Sequence, residues 1–313
     1  MTVRTARRLR RILPDAGEPG ARLAGIALMC VGFAVFALLD STAKWLSPHV
    51  PAAELAWARY AGNFALVALV FNPWTHPGVL RTRRPFIQIT RALLLVVSTV
   101  TNFIAVRYLQ LDQTVSITFS TPFFVALFAG PLLGEWLGPR RWMAILFGFC
   151  GVLVVIRPTG ELHPAMLYSL AGAFCYALYN ISTRFLARTD STATTMFYAA
   201  AIGLAVTTVP LPFVWTTPTG PWVIANLMVI GIYGAIGHLL LVLAHRRAPA
   251  AVLSPFIYTQ LIWMTLAGWL VFGQFPTLWT LAGAGIVILS GLYLIHRERV
   301  DRATGAIQAN IAE

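Results

Sequence analysis

Apolar residues run along this chain in long stretches, separated by short polar segments, and within a stretch they do not alternate with polar residues. About 20 residues at a 1.5 Å rise cross the roughly 30 Å hydrocarbon core of a bilayer, so stretches of this length read as spanning helices. Backbone amides in lipid must be satisfied internally, which leaves only helices and closed barrels. Barrel strands would alternate lipid-facing and lumen-facing residues. The expected fold class is therefore an all-α polytopic membrane protein of ten transmembrane helices. The spans read as Leu23–Leu46, Glu54–Trp74, Phe86–Val106, Gln113–Gly134, Trp142–Ile156, Pro164–Leu186, Thr192–Trp215, Pro221–Ala244, Pro249–Phe272 and Leu278–Ile295.

The pattern also repeats. Phe36-Ala37-Leu38-Leu39-Asp40-Ser41-Thr42-Ala43-Lys44 in the first span matches Tyr176-Ala177-Leu178-Tyr179-Asn180-Ile181-Ser182-Thr183-Arg184 in the sixth, at an offset of 140 residues. Asp40 falls opposite Asn180. Gly151 pairs with Gly291 at the same offset, and Leu133-Gly134-Glu135 with Phe272-Gly273-Gln274 at an offset of 139. Spans one to five thus correspond to spans six to ten. Five is odd, so the two halves are expected to insert with opposite orientation. Inverted five-helix repeats are how many secondary transporters are built, one half rocking against the other around a midplane site.

Composition fits this picture and charge orients it. Of the 313 residues 58% are hydrophobic and 11% charged, with mean hydropathy +0.73, far too little charge for a soluble domain. The net charge of +12 looks at first like a nucleic-acid signal. Its distribution says otherwise. Eighteen basic residues fall on one side of the ten spans, in the N-terminal tail, after spans two, four and eight, around the end of span six and after span ten. Three, Lys44, Arg107 and Arg157, fall on the other, and Arg59 and Arg91 lie within spans. This positive-inside bias places both termini in the cytoplasm of an inner-membrane protein. No nucleic-acid partner is needed to explain it. The arginine-rich start (Arg7-Arg8, Arg10-Arg11) precedes an apolar run too long for a signal peptide and reads as a tail before a retained first helix. Cys30, Cys150 and Cys175 lie in spans without CxxC spacing and read as small hydrophobes.

A set of short pieces adds a resemblance. They are Glu54 with Arg59-Tyr60, Arg91-Ala92-Leu93, Ala105 with Tyr108-Leu109, Thr121-Pro122, Leu133-Gly134-Glu135 and Gly148 with Gly151-Val152. The second half adds Ala248-Pro249-Ala250, Pro255-Phe256-Ile257-Tyr258 and Gly283 with Gly291. In this order they resemble the ten-helix, EamA-like branch of the drug/metabolite transporter superfamily, from about Gly25 to Arg297. The resemblance implies a basic tail over residues 1–22, a first repeat over 23–157, a second over 164–296 and a tail over 297–313. It implies transport of a small organic metabolite by alternating access: a vitamin such as riboflavin, an S-adenosylmethionine-like compound or an amino acid. Gln274 stands where the second repeat of such proteins often has Glu, which weakens any paired-carboxylate role with Glu135.

Charged residues inside spans cost roughly 2.5–3.5 kcal/mol each on insertion scales, so they face protein or a wet cavity. Asp40 and Lys44 share a face at i, i+4; they contact substrate or proton, or they neutralise each other. Arg59 is deep enough to pair with Asp40 or Glu54. Arg91, near the cytoplasmic end of its span, is expected to snorkel to the headgroups. Tyr176, Tyr179 and Asn180 in span six, and Tyr258, Gln260 and Trp263 in span nine, combine apolar faces with polar handles and are candidates to line the cavity. His238 reads as a structural histidine or a proton relay. Gly231, Gly234 and Gly237 form a small-residue face for close helix packing. Pro122 and Pro255 break corresponding spans, which points to a central site between them.

The chain contains no HExxH, GxSxG, paired CxxC or acidic metal cluster, and no GxxxxGK[ST] phosphate loop. A polytopic membrane enzyme or a channel is the alternative to a carrier, but neither a catalytic constellation nor a ring of like charges is visible. The reading therefore calls for no cofactor and no metal. Its partners are a small-molecule metabolite and membrane lipid, with a homodimer the one protein assembly left open.

Overall fold

The structure is a computed structural model that describes residues 19–133, 138–156, 163–186, 189–247, 254–293 and 296. Helices dominate these residues, and no strand occurs among them. The first half of the chain contains α1 (Pro19–Leu46), α2 (Ala52–Val70), α3 (Pro85–Tyr108), α4 (Leu111–Thr118), α5 (Thr121–Leu133) and α6 (Pro139–Ile156). The second contains α7 (Ala165–Leu186), α8 (Thr192–Thr208), α9 (Leu211–Val214), α10 (Pro221–Arg247), a 3-10 turn (Ser254–Tyr258) and α11 (Thr259–Phe272). Helix α12 (Leu278–Tyr293) follows.

The side chains are arranged against the rule for a water-soluble protein. Leu69, Phe86, Leu167, Ile262, Leu270 and Leu289 are exposed, while Asp40, Lys44, Glu54, Arg91 and Asp112 are buried. A surface of this kind is an aggregation liability in water and is well solvated by acyl chains. Three helices, over Leu23–Leu46, Pro85–Tyr108 and Pro221–Leu241, are individually long and apolar enough to cross a membrane.

Three of the expected spans are broken, two of them at the prolines expected to break them. The fourth divides into α4 and α5 at Phe119-Ser120. Pro122 has no N–H to give the Thr118 carbonyl one turn back. Thr121 Oγ1 donates to that carbonyl instead, at 2.7 Å, and the helix restarts with the Phe123 and Phe124 amides on the Ser120 carbonyl. The ninth span begins with the 3-10 turn that holds Pro255 and becomes α-helical only at Thr259; its earlier expected residues, Pro249 to Leu253, lie outside the described ones. There too a threonine closes the junction, Thr259 Oγ1 donating to the Phe256 carbonyl at 2.6 Å. The seventh span stops at Thr208 and resumes as the short α9, because Pro210 and Pro212 cannot donate to the preceding turn.

Helix α10 packs against α1 and α2, while α3 packs against α7 and α8; α2 also meets α8, α11 meets α1 and α4, and α7 meets α4 and α5. The closest crossings run through glycine. A Cβ on Gly62 of α2 would lie 2.7 Å from the Gly231 Cα of α10, and one on Gly151 of α6 would lie 2.6 Å from the Gly283 carbonyl of α12. The glycine face of α10 is fully used, with Gly234 against Arg59 and Leu39, and Gly237 against the Phe36 ring. Backbone approach of this kind is what small residues provide between membrane helices.

The two ends of the bundle are tied differently. At one end Lys44 Nζ donates to the carbonyls of Val106, at 3.0 Å, and Leu109, where α3 stops. There Glu54 also accepts from the Thr216 amide and hydroxyl at 3.2 and 3.0 Å. At the other end Asp190 accepts from Thr82 Oγ1 at 2.5 Å, Gln88 Nε2 at 2.8 Å and the Arg83 amide at 3.3 Å. These bonds join the loop before α3 to the loop before α8.

Candidate substrate site

Polar side chains from the middle turns of α1, α2, α3, α7 and α10 meet inside the bundle. Asp40 of α1 accepts a hydrogen bond from Asn102 Nδ2 of α3 at 3.0 Å. Arg59 of α2 donates through Nη1 to Thr99 Oγ1, and its Nη2 stands 3.5 Å from His238 Nε2 of α10. A guanidinium only donates, so this contact is a hydrogen bond when Nε2 of the imidazole is unprotonated. Thr99 Oγ1 itself donates to the Leu95 carbonyl at 2.8 Å and lies 3.2 Å from Tyr60 Oη. Arg59 is also the charge that acts on the Asp40 carboxylate.

A second guanidinium closes the other side. Arg91 of α3 donates through Nε to Thr183 Oγ1 at 2.6 Å, through Nη1 to the Thr195 carbonyl at 3.2 Å and through Nη2 to Tyr179 Oη at 2.9 Å. Tyr179 stacks on Tyr176 with ring centroids 5.5 Å apart and planes 17° apart. Both Arg59 and Arg91 act electrostatically on Tyr176 and on His238, and the Phe36 ring meets the imidazole edge-on at 5.1 Å. Arg59, Asn102, Tyr176, Tyr179 and His238 keep part of their surface accessible, whereas their chain neighbours Tyr60, Phe103, Ala177 and Gly237 are buried.

The structure thus brings together Asp40, Arg59, Tyr176 and Tyr179 of the residues singled out in the sequence. Others lie apart. Lys44 does not pair with Asp40: beyond its two carbonyls it faces the Phe272 ring at 5.4 Å, and its electrostatic partner is Asp112. The end of α3 supplies both carbonyls that the ammonium bonds, and the end of α11 supplies the Phe272 ring. Arg91 does not snorkel. It is 4% exposed, because Thr183, Thr195 and Tyr179 satisfy it inside the bundle. Tyr258 sits against Phe119, at 5.3 Å between ring centroids, and against Gly291, beside a small cavity of about 30 Å³ that Pro122 also lines. Trp263 packs on the Met29–Phe33 side of α1, with its buried Nε1 unpartnered among the described residues. Asn180 and Gln260 are half-buried and have no hydrogen-bonded side chain among the described residues. Glu135 lies outside the described residues, while the Gln274 Oε1 is buried and unpartnered among them. A wider cleft of about 640 Å³ opens at the Asp190 end between residues 75–83 and 189–194 and holds none of the expected site residues.

Thr99, Asn102 and Thr183 are the partners that sequence reasoning missed. The signal was present in α3: Gln88, Arg91, Thr99 and Asn102 fall on one helical face at three- and four-residue steps. An apolar span with one continuous polar stripe turns that stripe toward protein.

Comparison with known proteins gives this arrangement its family. The model of the EamA-like transporter family matches the chain twice, over residues 23–157 and 163–296. An S-adenosylmethionine uptake transporter of Rickettsia bellii is 28% identical over 275 residues, covering 86% of this chain and 94% of its own. A riboflavin transporter of Rhizobium johnstonii is 27% identical over 292 residues, covering 90% and 94%. The pseudopaline exporter CntI of Pseudomonas aeruginosa is 24% identical over 282 residues, covering 88% and 97%. A solved crystal structure at 19% identity superposes with a TM-score of 0.61 over 87% of this chain and 96% of its own, a likeness of fold. With both matches spanning nearly all of the helical region, the chain belongs to the EamA-like transporter family, within the drug/metabolite transporter superfamily, and is a multi-pass membrane protein.

Proposed function

We propose that this protein is a secondary carrier that moves a small organic metabolite across the inner membrane by alternating access, with ten spans in two inverted repeats and both termini in the cytoplasm. In this reading α4 with α5, and the 3-10 turn with α11, are single broken spans. The observation that carries it is the way contacts exchange between the halves. The α1–α10 packing is answered by α7–α3, α2–α10 by α8–α3, and α11–α1 by α7 with α4 and α5. The α2–α8, α4–α11 and α6–α12 contacts pair helices with their own counterparts. A bundle with that exchange pattern has two equivalent ways of closing, one on each side of the polar cluster.

The cluster suits an amphipathic metabolite. The stacked Tyr176 and Tyr179 offer a face for a planar group, and Asp40, Arg59 and Asn102 offer charge and hydrogen bonds. The substrate names of the relatives, S-adenosylmethionine and riboflavin, define the range to test first, with amino acids beside them. Purified protein in proteoliposomes loaded only with buffer should take up the labelled compound down its gradient without ATP. Strict dependence on ATP with purified protein would end the carrier reading.

A further inference from the structure

Within the polar cluster, among the described residues, guanidiniums outnumber carboxylates. Arg59 reaches Thr99 and His238, Arg91 reaches Tyr179 of the tyrosine stack, and Asp40, bonded to Asn102, is the carboxylate there among the described residues. His238 Nε2 stands 3.5 Å from Arg59 Nη2, and when it accepts from the guanidinium the imidazole contributes no positive charge of its own. Each hydrogen-bond acceptor of Arg91 is neutral: two hydroxyls and one carbonyl. Those of Arg59 are a threonine hydroxyl and an imidazole. The other described carboxylates are engaged elsewhere. Glu54 holds Thr216, Asp112 faces Lys44, and Asp190 holds Thr82, Arg83 and Gln88. Among the described residues two guanidiniums thus face one carboxylate in the cluster, in a region of low dielectric, while the buried Glu54 lies apart at the Thr216 end. A buried charge without a counter-charge is costly, and proteins meet that cost by pairing or by binding an ion.

We infer that the missing counter-charge belongs to the substrate, and that this carrier recognises a metabolite bearing a carboxylate, held between Arg59 and Arg91 beside the Tyr176–Tyr179 stack. The inference rests on the carrier reading and narrows it. Arg59 is the half-accessible member of the pair and offers the guanidinium fork that matches a carboxylate. Arg91, fixed by three hydrogen bonds, holds the second charge in place. The tyrosine stack gives the apolar part of the ligand a flat partner. A neutral ligand of the same shape would leave the excess charge where it is.

Matched pairs of ligands test this with the full-length protein. In detergent, thermal stabilisation is measured with S-adenosylmethionine and its decarboxylated analogue, with aromatic amino acids and their amides, and with riboflavin as the neutral planar compound. The expected result is a preference for the acid of at least one pair by about tenfold or more in apparent affinity, equivalent to roughly 1.4 kcal/mol. Arg59→Gln should abolish that preference, and Arg59→Lys should restore part of it. Because the acid–amide comparison is made in the unmutated protein, a misfolded variant cannot hide the answer. Equal or tighter binding of every carboxylate-free analogue, or binding of riboflavin alone, overturns the inference. So does an acid preference that survives Arg59→Gln in folded protein. Flux in proteoliposomes separates the two readings. Acid-selective binding without gradient-driven flux sinks the carrier, whereas flux of a neutral compound keeps the carrier and sinks the carboxylate.

Discussion

At the scale of single residues, Asp40 is the group to change first. It is the carboxylate of the polar cluster, and its matched position in the second half of the chain is Asn180. Asp40→Asn keeps the shape and the contact to Asn102 while removing the ionisable group. The expected outcome is normal insertion, retained substrate binding and loss of any dependence of uptake on a pH gradient. Full pH-driven accumulation by the variant would leave Asp40 a structural partner of Asn102. Asp190 makes a separate prediction at the surface end of the bundle. Burial pushes its carboxyl up, but the hydrogen bonds from Thr82, Gln88 and the Arg83 amide outweigh that and hold it below the usual carboxylate range. A depressed folded value adds stability above the unfolded value, near about 4, and that stability is lost as pH falls through the folded value. The melting-temperature gap between wild type and Asp190→Asn should therefore shrink from pH 7 to pH 3; a constant gap contradicts the assignment. Charge in an apolar run made Asp40 and Arg59 legible from sequence alone. Arg91 was misread because depth along a helix says nothing of acceptors on neighbouring helices. Thr99 and Asn102 escaped because uncharged polar residues raise no alarm in a hydropathy pattern.

Elements were legible in type and order, less so in number and continuity. The apolar runs fixed where helices occur, and the prolines marked two of the breaks, but not the threonines that make them tolerable. Thr121→Val would leave the Thr118 carbonyl unsatisfied in the bilayer, at a cost of about 1–3 kcal/mol. Thr121→Ser should keep most of the stability, and thermal unfolding in detergent distinguishes the two. If Thr121→Val melts with wild type, the hydroxyl is not what seals the junction. The glycine crossings make a sharper case. Gly231→Leu would force α10 off α2, with overpacking of this sort costing about 1–3 kcal/mol or more. Gly285→Leu, at a position where an added Cβ meets nothing within 4 Å, is the matched control. Periodicity showed Gly231, Gly234 and Gly237 as one face of a helix. It could not show that Gly62 is what that face meets.

For the whole molecule, topology is the property to measure. Reporter fusions after Glu313 and within the Thr216–Gly220 loop should give cytoplasmic and external signals respectively. The same compartment for both breaks the ten-span, inverted arrangement. The internal repeat was visible in the sequence because Asp40 and Asn180 each follow an aromatic-Ala-Leu run and precede a basic residue four positions on. The exchange of partners between the halves was not, since no local pattern records which helix lies beside which. That exchange has a consequence for synthesis. Helix α1 finds its main neighbour in α10, and α3 finds its own in α7 and α8. When the ribosome has delivered only the first half, Gln88 and Arg91 of α3 lack the Asp190, Thr183, Tyr179 and Thr195 partners that the later elements bring, whereas Asp40 and Asn102 already have each other. Water and lipid headgroups, or a membrane chaperone, must hold those side chains until the later helices emerge. An early stop in translation would then leave a fragment whose polar faces mark it for degradation.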